Sequence, residues 1–207
     1  MGVQRSEWSD RQQIHDVVLR YCRGIDRLDF GLVRSAYHPD AIDHHTGFSG
    51  GVDDYLAWVE PLLRARLGGT MHIVGNHLVE LRGDTAISET YGQSVHWGEP
   101  YDDARVNFTT GVRFVDHMAW RDGRWAIAER WAVREWTRSD AGRFKRKEAD
   151  GPSGSRTDED PLIRLQHKLG IGHGPGLEPG LGHQHAGRDH VGHEHAGHEA
   201  HGTEAGA

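Results

Sequence analysis

Three residues of this chain are of types that move protons and fall where a fold can gather them: Asp26, His72 and His96. Asp26 lies on the row Val18, Cys22, Asp26, spaced by four, which puts an acid on the inward side of an amphipathic helix. From that pattern alone it reads as an edge acid, solvated or paired with Arg23 or Arg27, because an unpaired buried carboxylate is costly. His72 shares a strand face with Val74, Asn76 and Leu78, and His96, 24 residues on, shares one with Thr90, Gly92 and Ser94. With Arg82-Gly83-Asp84 as a turn, both histidines fall at the strand ends remote from it and can face one cavity. Each alone reads as a satisfied structural histidine. Together the three make an acid–base set, in which a carboxylate on one ring nitrogen fixes the tautomer and stabilises the imidazolium.

Covalent catalysis is disfavoured. There is no Gly-x-Ser-x-Gly motif, Cys22 has no helix-N-terminal setting, and residues 1–138 contain no Lys for a Schiff base. His44-His45, after Asp43, reads as a loop pair bordering a pocket mouth rather than a metal site. Arg113, Arg130 and Arg134 all fall on the last strands, and the spacing does not say which reaches inward. Seven further histidines (His183, His185, His190, His193, His195, His198 and His201) are interleaved with Gly, Ala and Glu. Such a tract binds divalent transition metals loosely through imidazole, or serves only as a solubilising tail.

The elements that must position Asp26 and the histidines follow from periodicity. Ser9 with Gln12 reads as a capping box, and Ile14, Val17, Val18, Tyr21, Cys22, Ile25 and Leu28 continue as one buried helical stripe. A second helix is expected over 30–37, stopping before Pro39, and a third over 53–67, ended by Gly68-Gly69. The pattern then becomes extended over 71–81, 85–97, 106–120 and 125–136, with Asp122-Gly123 a strong hairpin turn. Three helices followed by long antiparallel strands predict an α+β domain, with the helices on one face of a curved sheet and a concave pocket between. A short helix at 161–169, bearing Leu162, Ile163, Leu165 and Leu169, is expected to dock on that body.

Composition divides the chain near residue 138. Residues 1–138 hold all seven Trp, all five Tyr and four of the five Phe, while 139–207 hold 14 of the 28 Gly. The expected organisation is a domain over 1–138, a linker with a docking helix over 139–170, and a disordered Gly/His-rich tail over 171–207. The tryptophans read as core or subunit interface, some lining a pocket for a flat apolar substrate.

The formal charge of −7 without a basic stripe speaks against nucleic acid, and one Cys excludes a disulfide framework. No apolar run approaches the ~18 residues of a membrane span. The N-terminal Met1-Gly2-Val3-Gln4-Arg5-Ser6-Glu7-Trp8 lacks the apolar core of a signal peptide, so a soluble, cytoplasmic protein is expected.

Several segments resemble SnoaL-like proteins of the nuclear-transport-factor-2-like superfamily: Tyr21-Cys22-Arg23-Gly24-Ile25-Asp26-Arg27-Leu28-Asp29, Tyr37-His38-Pro39-Asp40-Ala41, Thr70-Met71-His72-Ile73-Val74-Gly75-Asn76, and Trp120-Arg121-Asp122-Gly123-Arg124-Trp125 with Arg130. The resemblance spans roughly 8–137 and is fairly specific for the fold, less so for the reaction. It implies a cone-shaped α+β barrel with an internal pocket, assembled as a dimer or trimer. The subgroup most similar includes scytalone dehydratase, hexachlorocyclohexane dehydrochlorinase and bile-acid 7α-dehydratase. Their helix Asp and strand His match Asp26 and His72, the tyrosine of the bile-acid enzyme matches Tyr21, and a second strand histidine matches His96. The implied activity is a cofactor-independent elimination or isomerisation of a small, largely apolar cyclic substrate. Two other readings stay open, a non-catalytic binding or oligomerisation module on the same fold and a metal-handling protein acting through its tail.

Overall fold

The computed structural model describes residues 5–65, 68–144 and 151–171; the histidine tract from His183 to His201 lies outside the described residues. In chain order the elements are α1 (Glu7–Arg27), α2 (Phe30–Ser35), β1 (Tyr37–His45), β2 (Phe48–Gly51), α3 (Val52–Ala65), β3 (Gly69–Arg82), β4 (Thr85–Trp97), β5 (Phe108–Arg121), β6 (Arg124–Ser139) and α4 (Pro161–Leu169). The strands form one six-stranded sheet in the order β2-β1-β6-β5-β4-β3. It is the curved, unclosed sheet of an α+β cone, with α1, α2 and α3 over its inner face.

α1 begins one turn before the expected cap. Ser6 is the N-cap and its hydroxyl accepts from the Ser9 N–H at 3.1 Å. The apolar stripe starts only at Ile14, and Trp8 is exposed, so no buried periodicity marks the first turn. The helix ends where Leu28 adopts a left-handed φ of 59°. Just before that, Gly24 lets α2 approach closely: a Cβ there would lie 2.6 Å from Val33 Cγ2. This contact fixes the last turn of α1, which carries Asp26.

The segment after α2 departs from expectation. The second helix stops at Ser35, and Tyr37 opens a strand that pairs in parallel with β6, Asp43 beside Arg130 and His44 beside Trp131. A parallel partner some ninety residues away leaves no turn motif to announce the pairing. Pro39 is tolerated because it falls in the irregular stretch between Tyr37 and Ile42, where the ladder is interrupted. The sheet is therefore antiparallel except for this one pair. Both predicted hairpins form, and Asp122 and Gly123 have the positive φ values (52° and 78°) that a two-residue turn of this kind needs.

The core lies between α1, α3 and the sheet, with Ile14, Val18, Tyr37, Met118, Trp125 and Ile127 fully buried. Trp125 hands its indole N–H to Asp10 at 2.9 Å, anchoring the sheet to the first turn of α1.

The α4 helix forms as expected but does not dock through its apolar side, since Leu162, Leu165 and Leu169 are exposed. The preceding residues make the attachment. Arg156 donates to the Asp26 carbonyl at 3.1 Å and to Thr70 Oγ1 at 3.0 Å, and Arg27 reaches the Ser155 carbonyl at 3.3 Å. Polar bonds, not burial of a leucine stripe, hold this segment to the body.

Candidate active site

The last turn of α1 and the start of β3 meet at Asp26 and His72. Asp26 Oδ1 accepts from His72 Nδ1 at 2.7 Å, and Oδ2 accepts from the His72 backbone N–H at 2.9 Å. The two side chains are 16% and 9% exposed, so the pair is largely shielded from water. A carboxylate only accepts, which assigns the proton to Nδ1 and leaves Nε2 for the cavity that His72 lines.

That cavity, about 240 Å³, lies between α1, α3 and the inner face of the sheet. Its walls are mostly apolar: Ile25, Trp58, Val59, Leu62, Phe108 and Phe114 contribute. The volume is below the ~300–1,000 Å³ typical of ligand pockets and suits a small ring. A hollow of about 530 Å³ between Pro152 and Lys168 is larger, but it lies on α4 and its lining contains no histidine.

Tyr21 and His96 line the same cavity as His72. The Tyr21 ring meets His72 edge-on, 6.3 Å between centroids, and its hydroxyl bonds Tyr55 Oη at 2.7 Å. His96 bonds Ser94 Oγ through Nε2 at 2.9 Å and stacks on Phe108; Ser94 is the residue paired with His72 across the ladder. Asp26 is not part of the lining and acts on the cavity only through His72.

The three arginines separate cleanly. Arg134 lines the cavity at its exposed rim. Arg113 is on the outer face, paired with Glu89 and Glu135. Arg130 is wholly buried, makes two 2.7 Å bonds to Asp116, and lies 4.2 Å from the Tyr21 ring centre and 4.4 Å from that of Phe114. Burial opposes its charge, but Asp116 and the surrounding tyrosine oxygens outweigh that and hold the guanidinium protonated. Burial likewise raises Tyr21, Tyr37 and Tyr55, so these phenols are donors and not bases. Burial pushes the Cys22 thiol up to about 12, in keeping with its exclusion as a nucleophile.

Sequence reasoning missed the part of the site on β1. His44 and His45 belong to a strand, not a loop, and His45 lines the cavity. Its Nδ1 bonds the buried carboxylate of Asp43, which also accepts from Tyr37 Oη at 2.5 Å. The signal that was available is the period of two in Ala41, Asp43, His45, the inward positions of β1. No group of three or more His, Cys, Asp or Glu among the described residues is arranged to hold a metal ion. No helix among them is long and apolar enough to cross a membrane.

Comparison with known proteins accords with this fold. A family model described as a SnoaL-like domain matches residues 6–131. A crystal structure of a type 2 hexachlorocyclohexane dehydrochlorinase (LinA) aligns with a TM-score of 0.61 at 16% identity, covering 69% of this chain and 97% of that one. The type 3 enzyme from Novosphingobium barchaimii aligns at 0.55 with 18% identity, covering 65% and 92%. A candidate scytalone dehydratase from Novosphingobium aromaticivorans aligns at 0.55 with 17% identity, covering 62% and 85%. At these identities the likeness is one of fold. No curated protein matches.

Proposed function

The chain belongs to the SnoaL-like domain family, and from that premise we propose that it is a cofactor-independent lyase or isomerase acting on a small, largely apolar cyclic substrate. The observation that carries this reading is the doubly bonded Asp26–His72 pair at the wall of a small apolar cavity. His72 Nε2 takes a proton from a carbon next to an activating group. Asp26 stabilises the imidazolium, and a hydroxyl or halide leaves the adjacent carbon as the double bond forms. General base help of this kind contributes ~10²–10⁴-fold. The remainder comes from holding the substrate in a dry, fitted space. That the structural neighbours include proteins named as a dehydrochlorinase and a candidate scytalone dehydratase supports an elimination.

The test is proton abstraction itself. Loss of α-deuterium from tetradeuterated cyclohexanone in ordinary water, followed by NMR, should be accelerated by the protein and abolished by His72→Ala, with the folded spectrum retained. Exchange that survives His72→Ala would overturn the assignment. No acceleration by the wild-type protein, with the ketone nonetheless bound, would move the reading to a binding module on the same fold. A metal-handling role for the tail separates from both: deletion of residues 171–207 would then remove function and metal binding together.

We also propose that the chain forms a homo-oligomer through the outer face of the sheet. Ile73, Ile87, Tyr91 and Trp131 are exposed there, and large apolar side chains gathered on one exposed sheet face favour an interaction site. Light scattering of the wild type and of Trp131→Asp should show a dimer or trimer and its dissociation; a monomeric wild type would exclude it.

A further inference from the structure

We infer that Asp43 and His45 form a second acid–base dyad, which delivers a proton to a departing hydroxyl in the same cavity as His72. This rests on the elimination proposed above and selects among its leaving groups.

The two pairs are built alike. Asp43 has both oxygens engaged, one by His45 Nδ1 and one by Tyr37 Oη, as Asp26 has both engaged by His72. In each pair the carboxylate is the acceptor and Nδ1 the donor; Nε2 of His72 is left for the cavity, and Nε2 of His45 meets the hydroxyl of Tyr21, itself part of the cavity wall. His45 is held flat against Tyr55, 4.8 Å between centroids and 18° between planes, and its Nε2 lies 3.3 Å from Tyr21 Oη. Tyr21 in turn meets His72 edge-on, so both histidines adjoin one phenol.

Their surroundings differ. The groups facing His45 are Asp43 on its own strand, Tyr21 from α1, Tyr55 and Trp58 from α3, and Phe48 from β2. Behind them lie Asp116 from β5 and Arg130 from β6. Asp43, Asp116 and Arg130 are all 0% exposed, two carboxylates against one guanidinium. An excess negative charge in a dry interior is costly. Tyr37 offsets part of it by donating to Asp43 at 2.5 Å. With His72 assigned as the base, His45 is the second imidazole of the cavity wall held by a carboxylate, and it is placed to give a proton to the leaving oxygen.

The resulting step balances. His72 Nε2 takes the α proton, and the C–H electron pair becomes the new C=C bond. The C–O pair leaves on oxygen, and that oxygen takes the proton from His45 Nε2, so water departs. His72 ends protonated and His45 neutral, and one proton passed between them through solvent restores both. A chloride needs no proton to leave. The substrate class is therefore a cyclic carbonyl compound with a hydroxyl β to the carbonyl.

Two probes that give the same enone separate the roles: 3-hydroxycyclohexanone and 3-chlorocyclohexanone, both eliminating to cyclohex-2-enone. The ratio of hydroxyl to chloride elimination should fall by ~10²–10⁴ in His45→Gln, and in the same direction in Asp43→Asn. His72→Ala should suppress both reactions together. Chloride elimination that persists in His45→Gln shows that the variant is folded. An equal loss of both reactions in the two variants, or an unchanged ratio, overturns the proposal. So does a wild-type protein that washes out α-deuterium yet eliminates only chloride, a result that leaves the base assignment standing. Failure of deuterium washout as well would instead sink the proposed function.

Discussion

Both oxygens of Asp26 are committed to a single residue, His72: one to its ring and one to its backbone. The backbone N–H can only donate, so the carboxylate's orientation, and through it the tautomer of the ring, is locked by a bond that no side-chain substitution at position 72 removes.

This makes Asp26→Asn an unusually informative change. The amide oxygen must face the His72 backbone N–H, which turns the NH₂ group toward ring Nδ1. The ring must then accept at Nδ1 and carry its proton on Nε2, on the cavity side, where a base is needed. Proton abstraction should fall by ~10²–10⁴-fold with little change in melting temperature. The ¹⁵N shifts of the His72 ring should report the exchanged tautomer; an unaltered tautomer with full activity would show that Asp26 does not govern the base.

The buried Asp116–Arg130 pair predicts an asymmetric stability result. Arg130→Met leaves a carboxylate unpaired in the core and should cost about 3–5 kcal/mol. Adding Asp116→Leu removes that carboxylate and should recover most of the loss, as read by urea unfolding. A double variant as unstable as the single one would mean that the guanidinium acts mainly through its contacts with Tyr21 and Phe114.

His77 predicts acid sensitivity. Its Nδ1 lies 3.0 Å from His15 Nδ1 and its Nε2 2.9 Å from Ser88 Oγ. Burial, with His15 beside it, lowers His77 to about 4 from an ordinary value of 6.5. The unfolded chain thus binds this proton more readily than the folded one. Stability should be full above pH 6.5 and fall as the pH drops toward 4, by ~1–2 kcal/mol once the solvent-facing part of the ring is allowed for. His77→Gln should flatten that limb of the pH–stability curve; an unchanged limb would assign the loss to other groups.

Arg156 lies beyond the span matched by the family model, yet it ties the Asp26 carbonyl to Thr70, two residues before His72. Arg156→Ala should let the ends of α1 and β3 drift and lower deuterium washout up to about tenfold, the effect of ~1.4 kcal/mol. Arg156→Lys should restore part of it. Unaltered exchange in Arg156→Ala would make this segment a passive strap.

What the sequence determined is whatever local periodicity and short motifs encode. The buried stripe of α1, the four long strands, both hairpin turns and the α+β class follow from spacings within a dozen residues. Asp26 and His72 were legible as candidates because a helix row and a strand face each expose an odd polar residue, and a family likeness joined them. Tertiary structure decided the rest. The parallel pairing of β1 with β6 brings together residues nearly ninety apart, so His45 looks like a loop residue until Asp43 is placed beside Arg130. The pairing of α1 with β3 likewise closes a gap of 46 residues to make the Asp26–His72 contact. Burial and charge balance arise only when such distant segments pack, because they depend on what excludes water around a group and not on its neighbours in the chain.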